Sequence, residues 1–190
     1  MTSILVVCSG NICRSPIAEA LLRRAIERRD DVETPAIGSA GTIAMEGAPA
    51  TREAVAAARE LGVDITRHAA RRLTDPMISG ANLLLCMAAE HREEIEERVP
   101  DARDRTFTLK ELTRLLERDA APDRSGRVAR AARARDEGAL TETDRFDQDV
   151  VDPLGMPLET YLAIAYELDD WIDRLVRGLA GPVPARAEGA

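Results

Sequence analysis

Ser3-Ile4-Leu5-Val6-Val7-Cys8-Ser9-Gly10-Asn11-Ile12-Cys13-Arg14-Ser15-Pro16 is an apolar, β-branched run, then a short polar loop, then a proline. Residues 3–7 read as a strand, and Ser9-Gly10-Asn11 break it. Pro16 marks the first turn of a helix, where the N–H that proline lacks would have had no partner anyway. Beyond it Ile17, Leu21, Leu22, Ala25 and Ile26 recur at the spacing of one helix face, with Arg and Glu opposite.

The same alternation continues outward. Residues 34–39 read as a second strand, ended by Gly41. Thr51 is placed to cap a helix carrying Ala54, Val55, Ala58 and Leu61, which Gly62 stops. Residues 81–87 read as a strand buried on both faces, followed by a charged helix over 89–98. Residues 105–108 make a weak fourth strand before a helix with Leu109, Leu112, Leu115 and Leu116. A long apolar stripe from Leu158 to Val176 closes the series. Strands alternating with helices imply a parallel sheet covered on both sides. The expected fold is α/β: a doubly wound four-stranded parallel sheet flanked by helices on both faces, forming one domain over residues 1–180. The stretch at about 117–149 is dense in Arg, Asp and Glu, with Pro122 and Gly126 as breakers. It reads as a charged surface insertion with a helical turn or two at 129–135, the alternative being a lid or docking surface. Residues 181–190 read as a disordered tail.

Composition narrows the function classes. A formal charge of −8 over 190 residues gives no net positive field, so neither nucleic acid nor an anionic membrane is an expected partner. There is no apolar run of about 18 residues for a membrane span, and residues 1–7 carry no basic segment of the kind that opens a signal peptide. Three cysteines, Cys8, Cys13 and Cys86, form neither a disulfide framework nor a zinc-like cluster. A reducing, cytoplasmic setting is expected, with no metal and no cofactor.

A Cys six positions before an Arg is a weak signal alone; its place between a buried strand and a helix start gives it meaning. In open parallel sheets ligands bind beyond the carboxyl ends of the strands. A loop curling before a helix N-terminus turns successive N–H groups inward, which suits a phosphate dianion. Gly10 and Asn11 tolerate the left-handed conformations such a curl needs. Arg14 offers a planar fork for two phosphate oxygens. The same positive field favours a thiolate nucleophile at Cys8, to which the Ser15 hydroxyl can donate a hydrogen bond.

The segment resembles the phosphate-binding loop of the low-molecular-weight protein tyrosine phosphatase family: cysteine, five residues, arginine, serine, proline. The resemblance extends to Ser39-Ala40-Gly41-Thr42, to His68 and to Val151-Asp152-Pro153, covering roughly residues 3–116 and 150–178. It implies a catalytic set of Cys8 as nucleophile, Arg14 as phosphoryl ligand and Asp152 as general acid, acting through a cysteinyl phosphate on a phosphorylated protein, with phosphate ion as product. Asn11, Ser39 and His68 match polar residues that brace the loop, which also holds Ser9, Gly10, Ile12, Cys13 and Ser15. The chemistry agrees that an acid is needed, because an alkoxide or phenoxide leaves poorly unprotonated. Asp152, extended before Pro153, is a rigid mount for it.

Cys13 either packs under the loop or, as the resemblance allows, pairs reversibly with Cys8 against over-oxidation. Cys86 reads as core. For the substrate the residues divide. Tyrosine-directed relatives place an aromatic after the Asp-Pro and in the loop near residue 45, where this chain has Leu154 and Ile43-Ala44-Met45. Ile12, however, is the type they carry, whereas arginine-directed relatives carry Thr there. Phosphotyrosine in proteins is the favoured substrate and phosphoarginine the alternative. Arsenate reduction lacks a resolving cysteine pair, and a non-catalytic phosphate-binding module would not need both Cys8 and Asp152.

Overall fold

Side chains along β1 (Ser3–Cys8) alternate between two apolar clusters: Ile4, Val6 and Cys8 face one, Leu5 and Val7 the other. β3 (Leu83–Cys86) does the same, with Leu83 and Leu85 on the first side and Leu84 and Cys86 on the second. Strands with two cores to satisfy read as unbroken apolar runs. With β2 (Ala36–Gly41) and β4 (Thr106–Thr108) they form a parallel sheet of order β2-β1-β3-β4. The computed structural model describes residues 3–31, 33–121, 123 and 125–180, so Pro122 and the tail expected at 181–190 lie outside the described residues.

On the first face pack α1 (Arg14–Glu27), α2 (Arg52–Glu60), α5 (Leu109–Arg118) and α8 (Leu158–Ala180). On the second lie α3 (Asp75–Gly80), α4 (Ala89–Arg98) and a 3-10 helix (Pro100–Arg105), which contribute Ile78, Ile95 and Ala102. This is the doubly wound arrangement expected from the sequence. Thr51 caps α2 as anticipated, its Oγ1 accepting from Ala54 N at 3.1 Å.

Several features depart from the sequence reading: α3 was not anticipated, and β3 starts at Leu83, two residues later than expected. β2 begins and ends two residues later than expected, so Gly41, read as a terminator, is the strand's last residue, beside Cys8. A Cβ there would lie 2.4 Å from Ser9 O and 2.8 Å from Asn11 N, so the missing side chain is what lets the loop cross the sheet edge. The charged stretch is also more than an excursion. Within it α6 (Arg127–Asp136) buries Ala131 and Ala132, and Leu140 follows them into the first core. Arg135 lies 4.8 Å over the Phe107 ring and donates to Thr106 O. Its composition concealed this because arginine buries its stem while keeping its head hydrogen-bonded. α7 (Glu142–Phe146) buries nothing, but Arg114 and Lys110 of α5 bind Asp147 at 2.6 and 2.9 Å. Short α3 and α7 have too few turns to show a period. Among the described residues no helix is long and apolar enough to cross a membrane.

Candidate active site

β1 delivers Cys8 to the carboxyl edge of the sheet, between β2 and β3, where the strand order reverses. The loop then closes around the sulfur. Asn11 N–H points at Cys8 Sγ from 3.2 Å, and Ser15 Oγ lies 2.9 Å from it. Asn11 makes this curl possible: its φ is +53°, the only positive φ of a non-glycine among the described residues. Gly10, expected to share that role, has no positive φ.

A left-handed Asn in the interior needs its polar atoms satisfied, and all of them are. Its Nδ2 donates to Ser15 Oγ at 2.8 Å and to Ser39 Oγ at 2.9 Å. Its Oδ1 accepts from Arg71 N at 2.9 Å, and its carbonyl lies 2.7 Å from His68 Nε2, which must therefore donate. Ser39 passes the chain on, donating to Glu19 Oε2 at 2.7 Å. Since Ser15 accepts from Asn11, its own proton is free for the sulfur.

Arg14 enters the site from the first residue of α1 and is 4% exposed. Nη1 donates to Val150 O at 3.0 Å; Nη2 donates to Ser9 Oγ at 3.1 Å and to Asp152 Oδ2 at 2.6 Å. Arg14 Nε has no partner among the described residues. Asp152 is carried there by a strand-like extension: Val150 N donates to Met87 O at 2.7 Å, and Asp149 Oδ1 accepts from Ala89 N, capping α4. Leu154 N donates to Asp152 Oδ1 at 3.1 Å, which holds the carboxyl's orientation.

The structure thus brings Cys8, Ser9, Asn11, Arg14, Ser15, Ser39, His68 and Asp152 into one connected cluster. Ile12 is partly buried against the first core. Cys13 packs beneath the loop, 3.7 Å from the hydroxyls of Thr51 and Tyr161, and burial pushes its thiol pKa up. All three cysteines are free thiols, and complete burial raises Cys86 far above the usual thiol range. No group of three or more His, Cys, Asp and Glu side chains among the described residues is arranged to hold a metal ion.

Three site residues escaped the sequence reading: Glu19, Arg71 and His91. His91 lies in the first turn of α4, 2% exposed, with Nε2 2.9 Å from Ser9 Oγ. A histidine just after a buried strand, at the edge where ligands bind, was the available signal; Glu19 and Arg71 offered none. Burial, followed by the charge of Arg14, brings the His91 pKa down to about 4, against the opposing pull of Asp149 and Asp152. An unfolded histidine titrates near 6.5. Between these values the unfolded chain binds a proton that the folded chain refuses, so stability falls as pH drops from about 6.5 to 4. The slope from this residue approaches about 1.4 kcal/mol per pH unit. Chemical denaturation at pH 7, 6 and 5 is expected to show a shallower decline in His91→Phe than in the parent; parallel declines would show that His91 titrates normally when folded.

Comparison with known proteins gives the site its context. Residues 3–122 match the family model described as low molecular weight phosphotyrosine protein phosphatase. A protein-arginine-phosphatase of Geobacillus stearothermophilus is 35% identical over 176 residues, covering 93% of this chain and 95% of that protein. The low molecular weight protein-tyrosine-phosphatase Etp of Escherichia coli K12 is 39% identical over 121 residues, 64% of this chain and 76% of Etp. Among solved structures, a YwlE mutant from Bacillus subtilis superposes with a TM-score of 0.73 at 28% identity, covering 95% of this chain and 100% of that one. With the family model spanning more than half of the chain, and with a parallel sheet carrying a Cys-loop-Arg turn at its edge, the chain belongs to the low molecular weight phosphotyrosine protein phosphatase family.

Proposed function

We propose that the chain hydrolyses phosphotyrosine in proteins, and small aryl phosphates, with residues 1–180 acting as one phosphatase domain. In this reading the Cys8 thiolate attacks phosphorus as the bond to the tyrosyl oxygen breaks, and Asp152 gives its proton to the departing phenolate. Asp152 then takes a proton from water, whose oxygen attacks the cysteinyl phosphate and releases phosphate and the thiolate. Arg14 and the loop N–H groups hold the equatorial oxygens throughout. Asn11, Ser15, Ser39 and His68 keep the loop curled.

What carries the reading is the convergence on Cys8 Sγ of a backbone N–H and a hydroxyl, with Arg14 and Asp152 paired beside it. That ion pair has a consequence. A phosphoryl dianion must take Arg14 over from Asp152, and the released carboxylate then takes up a proton from solvent or from the bound phosphate monoanion, which makes it the acid for the leaving group.

The rim is aliphatic, without the aromatic side chains that tyrosine-directed relatives place after the Asp-Pro and near residue 45, yet it can still contact an aryl ring. Ile43, Met45, Val151 and Leu154 are all exposed large apolar side chains, and Ile43 N donates to Ser9 O at 3.0 Å, which holds that turn against the loop. An aliphatic rim contacts a flat apolar ring but offers no acceptor to the N–H groups of a guanidinium. A second reading, phosphoarginine, is favoured by the arginine phosphatase relative, which the match covers almost end to end. Values of kcat/KM on phosphotyrosine and phosphoarginine peptides of one sequence separate the two. Preference for phosphotyrosine is expected; preference for phosphoarginine would transfer the proposal to the second reading. Ile12→Thr supplies a polar oxygen at the loop rim and is expected to raise activity on phosphoarginine relative to phosphotyrosine by about 5- to 150-fold.

A further inference from the structure

A serine hydroxyl has one proton to donate and two lone pairs to accept with. Ser9 Oγ meets two nitrogens, Arg14 Nη2 at 3.1 Å and His91 Nε2 at 2.9 Å. Arginine only donates, so it occupies one lone pair. The other ring nitrogen of His91, Nδ1, is buried with no hydrogen-bond partner among the described residues. That asymmetry selects the tautomer. With the ring proton on Nδ1, a buried N–H would have no acceptor, and Ser9 would spend its proton on Nε2. With the proton on Nε2, Nδ1 is left a bare acceptor, which protein interiors tolerate better than an orphaned N–H. Ser9 Oγ then accepts twice, and its proton has no acceptor within the described residues.

We infer that His91 is a positioning residue for phosphoryl binding: by donating Nε2–H to Ser9 Oγ it fills that oxygen's second acceptor site, steadies the Nη2 side of Arg14, and leaves the Ser9 O–H to donate to a phosphoryl oxygen. The inference rests on residues 8–14 being the phosphate site. The charged groups around the ring are Arg14 from α1, Glu90 on its own helix with Oε1 3.5 Å from Nε2, and Asp149 and Asp152 from the segment before α8. Burial and the charge of Arg14 outweigh Asp149 and Asp152, so the ring stays neutral at working pH and acts as a fixed donor, not a proton carrier. Ser9 and His91 are 82 residues apart in sequence, so the link couples the second face of the sheet to the loop.

The test combines kinetics with the ring itself. His91→Phe and His91→Gln, each alone and with Ser9→Ala, are assayed on p-nitrophenyl phosphate and for inhibition by inorganic phosphate, with Tm measured for every variant. His91→Phe is expected to lose about 5- to 100-fold in kcat/KM, with the phosphate inhibition constant rising in parallel. His91→Gln, which retains an N–H donor, is expected to recover most of that loss. On the Ser9→Ala background His91→Phe is expected to cost less than about 2-fold, because its route of action is already gone. Additive losses, or a loss that follows Tm and is not relieved by Gln, would confine His91 to the fold. The chain has two histidines, so ¹⁵N–¹H correlation at pH 7 reads the tautomer directly, and a proton on Nδ1 of His91 overturns the inference. Absence of any turnover by the unmodified protein would instead count against the proposed function, while the tautomer measurement would still decide His91.

Discussion

Cys8→Ser is expected to abolish turnover of p-nitrophenyl phosphate, by about 10⁴-fold or more, while leaving a folded protein that still binds phosphate. The size follows from the chemistry: a serine hydroxyl at neutral pH is a far weaker nucleophile than a thiolate, and removing a nucleophile from a concerted set costs several orders of magnitude. Binding survives because the groups that hold the anion are elsewhere. Arg14 and the loop N–H groups approach from the loop and helix, and Ser at position 8, still within reach of Asn11 N and the Ser15 hydroxyl, keeps their register. Phosphate should therefore still raise Tm, by an amount that grows with its concentration. Residual activity above about a hundredth of the parent value would remove Cys8 from the nucleophile role.

Asp152→Asn is expected to lose about 10²–10⁴-fold on phenyl or alkyl phosphates and much less on p-nitrophenyl phosphate. General acid catalysis matters in proportion to the basicity of the leaving group, and p-nitrophenolate needs little help. The comparison is necessary because Asp152 also touches Arg14 at 2.6 Å, so its replacement could act by disturbing the arginine. That route would lower both rates equally. Asn is nearly isosteric but carries no charge to hold Arg14, so inorganic phosphate is expected to inhibit the variant at lower concentration than the parent. Equal losses on both substrates, with weaker phosphate inhibition, would make Asp152 a support for Arg14 and not an acid.

The insertion bears on the same carboxyl. Asp147 is gripped by Arg114 and Lys110, and Lys110 also binds Glu167 of α8 at 2.7 Å. Two residues later Asp149 caps α4, and Val150 accepts from Arg14. The charged stretch thus ends in a backbone anchored on three sides immediately before Asp152, which explains how an acid on a loop, with a side chain 41% exposed, keeps its place.

What the sequence determined by itself was local. β1 and β3 showed as apolar runs because each must fill two cores, the larger helices as 3.6-residue stripes, and the loop as Cys8 to Arg14 between a strand and a proline-marked helix start. Gly10 and Asn11 were legible as candidates for the curl because few residue types accept a positive φ, and only the structure assigns it to Asn11. Tertiary structure decided the rest. Gly41 belongs to the strand because the loop backbone crosses where its Cβ would be, and Ala131 and Ala132 are core because α6 folds back onto α5. The partners of the loop come from distant segments: Arg71 lies 60 residues from Asn11 and His91 82 from Ser9, while Asp152, 138 from Arg14, was named beforehand only through the family resemblance. Periodicity and capping depend on neighbours within a turn or a strand. Hydrogen bonds between segments this far apart exist only once the parallel sheet has brought its carboxyl ends together, and no local pattern encodes them.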